Sequence, residues 1–173
     1  MRTLILGGVR SGKSRLAEQL AHASGQPVVY VATAQAKDAE MAQRIAAHRA
    51  RRSPTWRLIE EPYALAEVIA REAGAQRCVL VDCVTLWLTN WLMRGDDDAL
   101  AAQIRALLEV VTTTAGTLIL VSNETNLGVI PLGELSRRFV DVAGTLHQDL
   151  AARCDQVILT VAGIPLTIKE CEA

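Results

Sequence analysis

An apolar run at the start of the chain leads directly into Gly7-Gly8-Val9-Arg10-Ser11-Gly12-Lys13-Ser14. No other feature restricts the fold as much. The spacing G-x-x-x-x-G-K-[ST] works only with a strand before it and a helix after it, and Thr3–Leu6 and Lys13–Ala23 read as those two elements. Glycines let backbone N–H groups turn inward around phosphate oxygens, while the helix points its positive end at the same place. In that frame Lys13 reaches the β- and γ-phosphates of a nucleoside triphosphate, and the Ser14 hydroxyl ligates Mg²⁺. A glycine turn followed by a surface lysine is the alternative. The four fixed positions arise by chance in roughly one chain of this length in two hundred. The strand and helix on either side then weigh against chance.

The same alternation continues. Pro27–Ala32, Cys78–Asp82, Thr117–Val121 and Gln156–Val161 are short, continuously apolar strand candidates. Helical patterns fall at Asp38–Arg52, Tyr63–Glu72, Leu86–Leu92, Asp98–Thr112 and Leu135–Arg153. Apolar strands separated by helices predict a mostly parallel sheet covered on both faces. With no repeat or linker, residues 1–173 read as a single α/β domain, and Arg94–Asp98 as an acidic surface turn. The Leu86–Leu92 helix, apolar on several sides, reads as core rather than interface.

A magnesium-side acid belongs at the end of a neighbouring strand. Asp82, closing Cys78-Val79-Leu80-Val81, is the candidate, with helix capping as its other reading. His48 shares a helix side with Arg44, Arg51 and Arg52. Positive neighbours disfavour the imidazolium, so this imidazole is expected to be neutral and able to attack phosphorus. From spacing alone, a solvated or phosphate-contacting histidine on a basic helix is the preferred reading. His22 reads as solvated, and His147 as near a ligand but without an evident partner.

Composition narrows the classes. No run approaches the roughly 20 apolar residues of a membrane span, and the first residues are too few for a signal-peptide core, so a cytoplasmic protein is expected. A net charge of −1 argues against nucleic-acid binding by bulk electrostatics. The four cysteines include no C-x-x-C pair, which disfavours a zinc site or disulfide framework; Cys78 and Cys83 read as small core residues.

Taken together these segments resemble the bifunctional adenosylcobinamide kinase/adenosylcobinamide-phosphate guanylyltransferases of cobalamin biosynthesis. The resemblance runs nearly end to end. It covers the Gly7–Ser14 loop, YVATA at Tyr30–Ala34, D-x-E-M-x-x-R-I-x-x-H-R at Asp38–Arg49, and Trp56–Glu60. It continues through VLVDCVTLWLTN at Val79–Asn90, Val121–Glu124, and the Leu135–Gln148 block. The histidine string is far more particular than the loop, which many families share. The resemblance implies a RecA-like P-loop sheet and reverses the reading of His48, which falls on the family's guanylylated nucleophile. Nucleotide contacts are implied at Gly7, Gly8, Val9, Arg10, Ser11, Gly12, Lys13 and Ser14. They are also implied at Ala32, Thr33, Ala34, Arg49, Ala50, Arg51, Arg52, Glu60 and Asp82, with Ser14 and Asp82 on the metal. The implied partners are ATP or GTP, adenosylcobinamide and its phosphate, and further copies of the chain, as a trimer. Three departures from the family pattern, at Ser53-Pro54, Asn126 and His147, bear on corrinoid binding more than on the chemistry.

The implied reactions are phosphorylation of adenosylcobinamide at Lys13 and transfer of GMP from GTP through His48. A P-loop kinase without the second activity is one rival. A non-catalytic nucleotide-binding regulatory module is another, although no N-K-x-D string supports a conventional GTPase switch. Glu60 and Asp82 are both candidates for the kinase base.

Overall fold

The computed structural model describes residues 1–36, 39, 43, 46 and 53–170. Its strands are β1 (Arg2–Gly7), β2 (Val28–Ala32), β3 (Arg57–Glu60), β4 (Cys78–Asp82), β5 (Thr117–Val121), β6 (Gln156–Val161) and β7 (Ile164–Glu170). Its helices are α1 (Lys13–Ala23), α2 (Leu65–Glu72), α3 (Val84–Leu92), α4 (Asp97–Thr113) and α5 (Glu134–Arg153). Strand order is β3-β2-β4-β5-β1-β6-β7, and among the described residues every strand pairing is parallel except β6 with β7. This is the mostly parallel, helix-flanked sheet expected from the sequence.

Burial explains why the strands are continuously apolar. Successive side chains point to opposite faces, and both faces are covered. Ile5, Val28, Tyr30, Leu80 and Ile119 pack with Ala17 and Ala21 of α1 on one face. Leu4, Leu6, Val29, Val79 and Leu118 face the other way, onto α2, α3, α4 and α5. There Trp87, Leu88, Trp91 and Leu92 of α3 are buried, so that helix is core as read. Truncating a buried tryptophan such as Trp87 to alanine costs about 3–5 kcal/mol. Cys78 and Cys83 are buried free thiols, also as read.

Two strands escape the sequence reading. β3 is a four-residue edge strand whose residues are exposed or half-buried, too short and polar to announce itself. β7 returns antiparallel after the Ala162-Gly163 turn, where both residues have positive φ. Pro165 argues against a strand there, but on an edge strand its missing N–H is tolerated. Lys169 of β7 donates its Nζ to the carbonyls of Ala151, Ala152 and Cys154, placing a cation on the negative end of α5.

Parallel pairing brings the carboxyl ends of β1 to β6 to one edge of the sheet. β1 lies between β5 and β6, where connections leave in opposite directions, and ligands of such sheets bind in the crevice above that point.

Candidate active site

The loop between β1 and α1 occupies this crevice. Gly12 is the N-cap of α1, at φ 98°, with no side-chain cap bond and no acidic residue in the first turn. The first N–H groups of the helix therefore remain available to an anion. Gly7 is hemmed in: a Cβ there would lie 2.5 Å from both Thr160 O and Thr160 Oγ1, and 2.6 Å from Ser11 Oγ. Ser11 Oγ pairs with Thr160 Oγ1 at 2.9 Å, Thr160 Oγ1 donates to Leu6 O, and Gly163 N–H donates to Ser11 O. The β6–β7 hairpin thus forms one wall of the loop, a role no motif pattern reveals.

Lys13 is buried, and its Nζ donates to Gly8 O at 2.6 Å and reaches Ser11 Oγ at 3.4 Å. Burial lowers its pKa, while the charge of nearby Asp82 opposes that shift. The ammonium is thus held, poorly solvated, at the phosphate loop. Ser14 follows in the first turn of α1, half-buried. Val9 and Arg10 are exposed on the outside of the loop, with Arg10 at φ 56°.

Asp82 ends β4 and accepts a hydrogen bond from Tyr30 Oη at 2.8 Å. It does not cap α3, whose N-cap is Cys83 with no side-chain bond. Cys83 follows a cis peptide, and burial pushes its thiol up to about 12. The Thr33 hydroxyl donates to Cys83 O and accepts Cys83 N–H, while Thr33 O takes Asn90 Nδ2. Thr33 therefore ties the end of β2 to the turn after β4, with Ala32 and Ala34 on either side at the same edge.

Strand order separates the candidates. Neighbouring strands lie about 4.8 Å apart, so Asp82, two strands from β1, is about 10 Å across the sheet, and Glu60, four strands away, about 19 Å. Both stand on the crevice edge, but only Asp82 is close enough to act on the charge of Lys13. His48, Arg49, Ala50, Arg51 and Arg52 lie outside the described residues; Ala39, Gln43 and Ala46, from the helix read at Asp38–Arg52, are helical.

Asn123, Glu124 and the Leu135–Gln148 block are corrinoid candidates by resemblance alone, and a polar chain beside the loop joins them in a way the sequence left unconnected. The Asn123 backbone N–H donates to Thr85 Oγ1 at 2.6 Å, Thr85 Oγ1 meets Ser122 Oγ at 2.9 Å, and Ser122 Oγ meets His147 Nε2 at 2.8 Å. His147 is buried, which lowers its pKa, and Glu124 Oε2 stands 3.8 Å from its Nδ1. Glu124 N–H in turn donates to Gly7 O. The residues come from the segment after β5, from α3 and from α5, so no local pattern links them. Beyond Glu124, a cavity of about 380 Å³ is lined by Thr89, Met93, Thr125, Leu135, Phe139, Val140 and neighbouring residues.

A nucleotide-binding α/β protein of the RecA-like P-loop type is what this sheet and loop define. Solved structures agree on the fold. The RadB recombinase superposes with a TM-score of 0.54 at 20% identity, covering 91% of this chain and 73% of its own. A Pyrococcus horikoshii OT3 protein gives 0.60 at 11% identity, covering 99% and 87%. Sequence relationship is more specific. Residues 3–168 match the family model "Cobinamide kinase / cobinamide phosphate guanyltransferase", and the chain belongs to that family. It is 62% identical over 169 residues to the bifunctional adenosylcobalamin biosynthesis protein CobP of Pseudomonas aeruginosa, covering 98% of each chain. To CobU of Escherichia coli, which bears the same description, it is 40% identical, covering 98% of this chain and all of the other.

Proposed function

We propose that this enzyme phosphorylates the free hydroxyl of adenosylcobinamide and then converts the phosphate to adenosylcobinamide-GDP. Family membership over nearly the whole chain is the observation that carries this reading. In the first reaction the acceptor hydroxyl attacks the γ-phosphate of ATP or GTP. Lys13 and the uncapped amides at the start of α1 neutralise the charge that spreads over the phosphoryl oxygens. Ser14 and Asp82 offer a hydroxyl and a carboxylate, hard oxygen donors that suit Mg²⁺, and their association with the Lys13 loop supports that assignment. Bound there, Mg²⁺ would supply charge neutralisation on the β- and γ-oxygens.

In the second reaction the neutral imidazole of His48 attacks the α-phosphorus of GTP and pyrophosphate leaves. The adenosylcobinamide-phosphate oxygen then displaces the histidine, carrying GMP away. Arg49, Arg51 and Arg52, which follow it in sequence, carry the positive charge that the resemblance assigns to nucleotide binding. The apolar cavity near Thr125 supports binding of part of the corrinoid acceptor. Exposed Val161, Ile164, Leu166 and Ile168 on the edge hairpin support assembly into a homo-oligomer, a trimer by family resemblance.

Incubation with α-labelled GTP tests the second half. Acid-labile, alkali-stable label is expected on the wild type and absent from His48→Ala, which keeps its γ-phosphoryl transfer. An unlabelled wild type would refute the histidine route.

A further inference from the structure

The kinase reaction needs a proton acceptor beside the attacking hydroxyl, and neither Glu60 nor Asp82 is well placed. Glu60 ends a strand four places from β1. Asp82 is engaged by Tyr30 and stands with Lys13 on the metal side. Glu124 differs from both. It follows β5, the immediate neighbour of β1, and its backbone N–H is bonded to Gly7 O at the root of the phosphate loop. Its next residue, Thr125, lines the apolar cavity. The carboxylate thus belongs to the segment joining the phosphate loop to an apolar recess.

Its orientation is controlled. Glu124 Oε1 accepts the Asn126 N–H at 2.6 Å, which leaves Oε2 towards His147. The proton positions along the polar chain are set by its two ends. A backbone amide can only donate, so Asn123 N–H gives its proton to Thr85 Oγ1. At the other end, the Glu124 carboxylate beside Nδ1 can only accept, which favours the Nδ1–H tautomer; His147 Nε2 then accepts the Ser122 hydroxyl proton, and Ser122 can accept from Thr85. A neutral imidazole that accepts at Nε2 carries its proton on Nδ1. That Nδ1 is buried, has no hydrogen-bond partner among the described residues, and lies 3.8 Å from Glu124 Oε2. Glu124 is also the only charged group within ion-pair range of His147 among the described residues. The histidine presents a donor to the carboxylate without protonating it.

We infer that Glu124 is the general base of the phosphoryl transfer and that His147 is its positioning residue, with Oε2 receiving the proton of the acceptor hydroxyl. This rests on the kinase reading above. As the acceptor oxygen bonds to the γ-phosphorus, the bond from that phosphorus to the β–γ bridging oxygen breaks, and the nucleoside diphosphate leaves with its electron pair. The hydroxyl proton passes to Glu124 Oε2. The Glu124 side chain retains 15% exposure, enough to return that proton to water.

The test compares wild type with Glu124→Gln, an isosteric change at a partly exposed position. The readouts are γ-phosphoryl transfer to adenosylcobinamide, nucleotide affinity, and α-label incorporation from GTP. Loss of a general base reduces kcat by roughly 10²–10⁴-fold, with nucleotide affinity and α-labelling retained. A fall of less than about tenfold, or a parallel loss of nucleotide binding, overturns the inference. If the wild type itself transfers no γ-phosphate to the corrinoid, the kinase reading fails instead. For His147 the decisive readout is the pH profile of kcat/KM. His147→Phe moves its acid limb to higher pH, and His147→Asn, which restores an N–H near Nδ1, returns it towards wild type. An unmoved limb in His147→Phe would leave His147 a structural residue and overturn its positioning role.

Discussion

Gly7→Ala asks whether the phosphate loop is as tightly built as its contacts indicate. The added Cβ would meet a backbone carbonyl and a hydroxyl of Thr160 at 2.5 Å, with Ser11 Oγ at 2.6 Å on the other side. The carbonyl belongs to β6, which is hydrogen-bonded into the sheet, and cannot withdraw alone. Overpacking of this kind costs about 1–3 kcal/mol. The backbone adds strain: Gly7 has φ +153°, a conformation L side chains rarely adopt, and such residues cost about 1–3 kcal/mol. Together these give about 4 kcal/mol, roughly a thousandfold in the folding equilibrium. Gly8→Ala is the control, since its Cβ meets nothing within 4 Å. Urea unfolding and a nucleotide titration, run on both variants, measure the effect. Gly7→Ala should be strongly destabilised and bind nucleotide at least about tenfold more weakly, a loss of about 1.4 kcal/mol. Adding Thr160→Ala should recover only part, because the Thr160 carbonyl stays in place. A Gly7→Ala protein within about 0.5 kcal/mol of wild type, the range of an ordinary surface change, would refute the argument.

Two further outcomes are expected. Tyr30→Phe removes the hydroxyl held by Asp82, and loss of such outer contacts weakens metal binding by about 10–100-fold. A Mg²⁺ titration of γ-phosphoryl transfer should shift accordingly, and an unchanged titration would dissociate Tyr30 from the metal. Burial pushes the Cys78 thiol up to about 11 from its ordinary value of 9.0. Because the folded pKa is raised, its contribution is fully present below the unfolded pKa and is lost as pH rises from about 9 to about 11. Cys78→Ala should flatten that alkaline fall by up to about 1.4 kcal/mol per pH unit, the limit for one proton. Equal slopes in reducing urea titrations would contradict the assignment.

The parts of the fold visible in the sequence are those governed by local rules. Period, β-branched runs and the glycine loop place β1, α1, β2, β4, β5 and β6, because buried parallel strands are apolar throughout. β3 is short and half-exposed, and β7 carries a proline, so edge strands obscure themselves. At the site, Lys13 and Ser14 follow from spacing and Asp82 from its position at a strand end. Thr33 is assigned to the nucleotide by resemblance, yet its hydroxyl is committed to Cys83, a pairing between residues 50 apart that spacing cannot express. His147 shows the same limit. Its neighbours in sequence say little, and its meaning comes from Ser122 and Glu124 on another element.

The wall that the β6–β7 hairpin gives to the phosphate loop has a consequence for biosynthesis. Ser11 and Thr160 are 149 residues apart, yet their hydroxyls and the Gly163 amide fix the loop's shape. A ribosome releases the loop first and the hairpin much later. Until the hairpin has docked, Gly7–Ser14 is a glycine-rich segment with one side open, and contacts of such long sequence separation are slow to form. Nucleotide recognition is therefore acquired only once the hairpin has emerged and docked, long after its own signature has been translated.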